Sequence, residues 1–250
     1  MVGGGEKPKY QRIADALKAA VESGQYRAGD RLPGENELME SYGVARMTVR
    51  QALGVLQSEG ITEARKGVGV FVRDFRPLRR QGIRRLAQGQ WGSGQSVWAA
   101  DTGGRDLVVD QVSVSEGGAP EAIAGVLGLE PDEPACLRSR RFVLDGKPVL
   151  LSTSYLSAAL VAGTAITRTD TGPGGIYARL SEIGAGPVRF REEIRSRMPT
   201  REESDRLELA AGTPVVLICR TAFAGDGRAV EVNEMTLDAA SYVLEYEFDA

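Results

Sequence analysis

Hydrophobic positions in the first sixty residues recur at helical spacing. Tyr10, Ile13, Leu17 and Ala20 share one face, so Pro8 to Glu22 is predicted as an amphipathic helix, with Gly24 and the loop at Ala28–Gly29–Asp30 after it. A second, shorter helix follows Leu32–Pro33. Leu38, Met39 and Tyr42 should face inward, Gly34 and Glu37 have capping-box spacing, and Gly43 ends it. A third helix should run from about Arg46 to Glu59. Its stripe is Val49, Ala52, Leu53 and Leu56, and Gly60 is the stop. Two short β-prone runs then flank Lys66–Gly67–Val68–Gly69, the pattern of a hairpin with a glycine tip.

Beyond Leu107 the pattern changes to strands mixed with short helices. LVVDQVSVSE alternates as a strand, and APEAIAGVLGL reads as a short helix. CLRSRRFVLDGKPVLLSTSYL is two strands joined at Asp145–Gly146, a strong hairpin signal. GGIYARLSEIG is a helix, and Thr200 with Glu203 forms a capping box opening another. PVVLICRTAFAGDGRAVEVNEMTLD turns at Gly225–Asp226–Gly227, and VLEYEF is a last strand. Neighbouring hairpins imply a mainly antiparallel sheet with helices on one side. The expected fold class is therefore mixed α/β, of the α+β kind. Its expected parts are an N-terminal three-helix unit with a hairpin at 1–74, a linker at 75–94 and a second domain at 95–250.

A chain of 250 residues accommodates about two domains at ~100–200 residues each. No apolar run approaches the ~18–20 residues that span a bilayer, and MVGGGEKPKY lacks a leader pattern, so a cytoplasmic protein without membrane contact is expected. Histidine is absent, which excludes Ser–His and Cys–His catalysis and the common His-containing zinc sites. Cys136 and Cys219 lie far apart in strand-like runs and read as buried thiols, so neither a metal nor a cofactor is expected. Net charge is −3, but residues 1–85 carry 16 Lys/Arg against 10 Asp/Glu, while residues 86–250 carry 15 against 24. Such asymmetry suggests that the first part meets an anion.

The third helix locates that anion. Arg46 and Arg50 lie together off the apolar stripe at the N-terminal turn, where the helix dipole disfavours cations. An external anion reverses that preference. Helix, helix, short glycine turn, helix and hairpin is the order of a winged helix-turn-helix, whose third helix enters the major groove N-terminus first. Arg46 and Arg50 can then donate to a guanine edge or a phosphate, with Thr48 and Gln51 adding polar contacts. Lys66–Gly67 at the wing tip can approach the minor groove.

The stretch from Tyr10 to Val72, with its GDRLP, GVARMTVRQAL and glycine wing, resembles the DNA-binding domain of the GntR family of bacterial transcription regulators. The resemblance implies a homodimer on a short palindromic duplex operator, often related to GT–N–TA–N–AC. It places DNA contacts on Asn36, Arg46, Thr48, Arg50 and Gly67. Two positions depart from the family pattern. Asn36 stands where arginine is usual, and Ala45 stands where Ser or Thr caps the helix, a loss of about 0.5–2 kcal/mol.

RRFVLDGKPVLLSTSYL, PTREESDRLELAAGTPVVLICRT, DGRAVEV and YVLEYEF occur in an order similar to the UTRA effector-binding domain of HutC-type members, a fold shared with chorismate lyase. The resemblance implies a repressor, not an enzyme, released from DNA by a small molecule. Its effector positions fall on Arg140, Phe142, Ser152, Gly175 and Glu231, with Tyr177 beside them at the helix start. Sugar-phosphate binders tend to carry Arg, Glu and Ser where Phe142, Ser152 and Gly175 stand. The expected effector is thus other than a sugar phosphate, with an apolar or aromatic part facing Phe142. Trp91 and Trp98 are candidates for a lid. Two alternatives remain open: a lyase-like enzyme carrying a DNA-binding appendage, with Glu231 and Arg140 its only nameable groups, and a C-terminal domain that only dimerises.

Overall fold

The computed structural model describes residues 7–65, 67–74, 78–82, 84–87, 89, 97–98, 102 and 104–248. The chain divides into two compact units, one of Met1–Arg76 with Leu209–Thr213 and the other of Pro77–Glu208 and Pro214–Ala250.

In the first unit, α1 (Lys9–Glu22), α2 (Glu35–Tyr42) and α3 (Arg46–Ser58) precede a two-stranded antiparallel hairpin of β1 (Thr62–Arg65) and β2 (Gly69–Val72). Ile13, Ala14 and Leu17 of α1 meet Val49, Ala52, Leu53 and Leu56 of α3 in one core, which Leu38 of α2 completes. The expected stripe on α3 is therefore the buried one. Burying a large aliphatic side chain contributes about 1.5–3 kcal/mol, so this stripe fixes the rotation of α3 and leaves its opposite face to water. Tyr42, expected to face inward, is exposed because α2 ends one residue later at Gly43, which takes a left-handed backbone. α2 opens on half a capping box: Glu37 accepts the Gly34 N–H at 2.6 Å, while glycine has no side chain to return the bond. α3 opens on Ala45 with no side-chain cap.

The second unit holds β3 (Leu78–Gln81), a 3₁₀ turn at Arg84–Leu86, β4 (Leu107–Gly117), α4 (Glu121–Leu127), β5 (Ala135–Leu144) and β6 (Lys147–Ser157). They are followed by α5 (Ala158–Val161), a second 3₁₀ turn at Ala165–Thr167, α6 (Gly175–Glu182), β7 (Pro187–Arg197), α7 (Arg201–Arg206), β8 (Val215–Ala224), β9 (Ala229–Asp238) and β10 (Tyr242–Glu245). Six strands form one antiparallel sheet in the order β4-β5-β6-β9-β8-β7. The β5–β6 turn puts Asp145 at φ 48° and Gly146 at φ 80°, as its Asp-Gly sequence requires.

Alternation gives the sheet two unlike faces. On one, Ile123 of α4 packs against Tyr155 and Val232. The other is covered at one end by Ile176, Tyr177 and Leu180 of α6. At its other end lies a small parallel sheet of β3 and β10, whose Leu78, Tyr242 and Leu244 join Phe142, Leu150, Ile218 and Met235. Residues 78–81, expected within a linker, are thus a strand of the second unit. The Arg80 guanidinium makes a two-pronged ion pair with Glu192 on edge strand β7, and Tyr246 donates to the same carboxylate at 3.0 Å.

Candidate functional sites: a cationic helix face and a cavity

With the apolar stripe of α3 buried, Arg46, Arg50 and Gln51 are exposed and Thr48 is half-buried at its first turns. The N–H groups of this turn have no side-chain cap, an end that suits an anion. The two arginines converge on Glu35 of α2. Arg50 Nε lies 2.9 Å from its carboxylate and Arg46 Nε 3.7 Å away. Arg46 also donates to Asn36 Oδ1 at 2.9 Å. Asn36, Arg46 and Arg50 therefore form one surface cluster, held by a carboxylate that the sequence reading did not single out. Met47, 64% exposed on the same turn, was also missed; an exposed thioether there can meet a thymine methyl. At the hairpin tip Gly67 has φ 73° and Val68 is exposed. Lys66 lies outside the described residues.

The second candidate is a cavity of about 730 Å³ in the second unit, on the sheet face covered by α6 and the β3–β10 pair. That size suits a small organic ligand. Arg140 and Phe142 of β5, Gly175 and Tyr177 of α6, and Glu231 of β9 all line it. Two consecutive left-handed glycines, Gly174 at φ 79° and Gly175 at φ 65°, open α6 at the cavity wall. Ser152 is a correction. It pairs with Arg140 in register, but it is buried beneath the wall, exchanging bonds with the Asn233 side-chain amide at 3.0 and 3.2 Å. A side chain that short, engaged on the neighbouring strand, does not reach the cavity.

One row of the sheet runs Arg138, Ser154, Asn233, Arg220 and Glu192 across β5, β6, β9, β8 and β7. Asn233 donates to Ser154 at 2.6 Å, and Arg140 donates to the same hydroxyl at 2.7 Å. Arg138 is spent on structure. It donates to the carbonyls of Ile166, Arg168 and Thr169 and so holds the loop that forms one cavity wall. Tyr177 donates to Glu231 Oε2 at 2.7 Å. Burial, with the Glu231 charge beside it, holds the Tyr177 hydroxyl well above its ordinary pKa, so it stays a donor. Burial draws Arg140 down to about 10, still charged at neutral pH.

Aromatic rings form another wall. Trp98 lies 4.5 Å from Phe142 at a 38° tilt, with Arg85 4.9 Å and Arg220 5.8 Å from its ring centre. Trp98 thus belongs to the cavity lining. Trp91 lies outside the described residues. Arg138 and Arg220 were not singled out from sequence, although each is an arginine at an inward position of an otherwise apolar strand. Cys136 and Cys219 sit on different strands as free thiols, and burial raises both pKa values. Among the described residues no cluster of three potential metal ligands occurs, and no helix is long and apolar enough to cross a membrane.

Residues 9–72 match the family model described as bacterial regulatory proteins, gntR family, and residues 102–242 match the UTRA domain. An HTH-type transcriptional regulator of Streptomyces coelicolor is 32% identical over 96% of this chain and 93% of its own. The HTH-type transcriptional repressor NagR of Bacillus subtilis is 28% identical over 97% of this chain and 95% of its own. Among solved structures, PhnF from Mycobacterium smegmatis superposes with a TM-score of 0.57 at 28% identity, covering 95% of this chain and 99% of that one.

Proposed function

Because the chain belongs to the GntR family of bacterial regulatory proteins and carries a UTRA domain, we propose that it is a repressor that binds a palindromic operator as a homodimer and is released by a small molecule in the Arg140–Glu231 cavity. Residues 1–74 bind DNA and residues 95–250 bind the effector and dimerise. Arg46, Arg50, Thr48 and Gln51 face the major groove, Asn36 contacts DNA beside Arg46, and the Lys66–Gly67 wing tip approaches the minor groove. The protein works in the cytoplasm. A repressor role agrees with the name of the Bacillus subtilis relative.

The observation that carries this reading is the exposed arginine pair on the first turn of α3, beside an uncapped helix end and a glycine-tipped hairpin. Release by an effector requires only that the ligand favour the arrangement that does not bind DNA. Gel shift with the protein's own promoter against random duplex tests it. Binding should prefer the promoter and weaken steeply with salt as counterions are released. Arg50→Ala should cost about 1–3 kcal/mol and relax specificity at one base pair. Equal binding to both duplexes in dilute buffer would refute the proposal.

A further inference from the structure

The effector cavity contains a buried cation whose role the fold does not explain. Arg220 is only 2% exposed, yet its Nε and Nη1 have no hydrogen-bond partner. Its register partner on β7, Glu192, is already engaged by Arg80 and Tyr246. Arg220 instead lies against aromatic faces, 5.8 Å from the Trp98 ring centre and 5.5 Å from that of Tyr177. Arg140, beside it on the same face, also has an unpartnered Nε. Among the described lining residues Arg138, Arg140 and Arg220 stand against Asp170 and Glu231, while Arg105 is paired with Asp145 at 2.7 Å. A buried charge without a partner is costly, and an anion in the cavity would offset that cost.

The chemistry of the walls narrows the anion. A phosphate dianion needs several convergent donors. Here Arg138 is taken up by three carbonyls, Arg140 gives one arm to Ser154, and the buried Glu231 would repel a second negative charge. The remaining donors suit one carboxylate. Phe142, Trp98, Leu107 and Val109 supply an apolar wall for the rest of the molecule.

We propose that the cavity binds a monocarboxylate with a flat apolar body, its carboxylate on Arg220 and Arg140 and its ring against Trp98 and Phe142. This rests on the effector reading above and names the class of ligand. Arg220 is then the specificity-determining residue, and its unmet donors are reserved for the ligand.

The test uses the full-length protein with benzoate, cinnamate and indole-3-acetate, each paired with its primary amide, beside inorganic phosphate and glucosamine 6-phosphate. Tryptophan fluorescence gives affinities and thermal melting gives stabilisation. At least one carboxylate should bind, with its amide about ten- to a hundredfold weaker, the worth of a charge-assisted hydrogen bond. Arg220→Met should remove that preference while leaving the ligand-free melting temperature unchanged or higher; Arg220→Gln repeats the comparison with a polar replacement. Binding of no carboxylate, equal binding of acids and amides, tighter binding of either phosphate, or a lower melting temperature in both variants would overturn the proposal. Gel shifts on the same preparations separate the two readings. Intact operator binding with failed carboxylate binding sinks this inference alone, and lost operator binding with intact carboxylate binding sinks only the regulatory one.

Discussion

Replacing Glu35 by Gln removes the carboxylate that holds Arg46 and Arg50, the pair proposed to meet DNA. In the free protein this carboxylate sits 2.9 Å from Arg50 and 3.7 Å from Arg46, and the side chains are 35%, 56% and 54% exposed. Exposed pairs of this kind are worth about 0–1 kcal/mol each. The variant, which loses both pairs, should therefore lose no more than about 2 kcal/mol of folding stability in a urea titration. On DNA the balance differs. Each arginine must leave or share Glu35 to donate to a base or phosphate, and the carboxylate itself faces the polyanion. Two charges close together in water interact by about 1 kcal/mol, so releasing two arginines and deleting one repulsion should tighten operator binding by about 1–2 kcal/mol, roughly five- to thirtyfold. Fluorescence anisotropy with a labelled operator at several salt concentrations measures both consequences. The slope of log K against log [salt] should steepen by about one phosphate contact. Weaker binding by Glu35→Gln, with unchanged stability, would refute the competition. Glu35 would then be aiming the arginines or reading a cytosine amino group itself.

Three further outcomes follow from geometry elsewhere. Glu203 receives two bonds from Arg197 at 2.6 and 2.7 Å and caps α7 through Thr200, and these hold its carboxyl at about 2, against an ordinary value of 4.5. A depressed pKa stabilises the fold above the unfolded value and loses that effect as pH falls from 4.5 towards 2. Glu203→Gln should thus cost about 1–2 kcal/mol at pH 7 and progressively less in urea melts taken down through that window. Glu192→Gln removes the carboxylate that makes the two-pronged pair with the buried Arg80 and should destabilise by about 3–5 kcal/mol, whereas Arg80→Met with Glu192→Met should recover most of the loss, as chemical denaturation can measure. Ala45→Ser supplies the missing cap of α3 and should stabilise by about 0.5–1 kcal/mol, seen as a higher denaturation midpoint.

The first unit was legible because its signals are local. The α3 stripe, the stops at Gly43 and Gly60 and the glycine hairpin tip each act within a few residues, and all appear where periodicity put them. The Asp145–Gly146 and Gly225–Asp226–Gly227 turns were equally readable. β7 escaped notice because it is an edge strand, mostly exposed and rich in charge, which blunts alternation. β3 was hidden for a different reason. Its partner is β10, far along the chain, and LRRQ carries no strand signal alone. The same distance effect limited the cavity. Positions on β5, α6 and β9 came from family resemblance, but the free donors of Arg220 depend on what four strands do to its neighbours. Ser152 shows the reverse: register places it beside Arg140, and only Asn233 reveals that its hydroxyl is already engaged.

The pairing of β3 with β10 ties an early segment to one synthesised much later. Gln81 donates to Glu245, 164 positions downstream, and Leu78 to Gln81 have no strand partner until those residues have left the ribosome. The helical unit can mature during translation, while the second unit must wait until Tyr242–Glu245 are made. A premature stop before Tyr242 would strand β3 as a naked edge, so such products should be recognised by proteases and chaperones even though every cavity residue named above has been made.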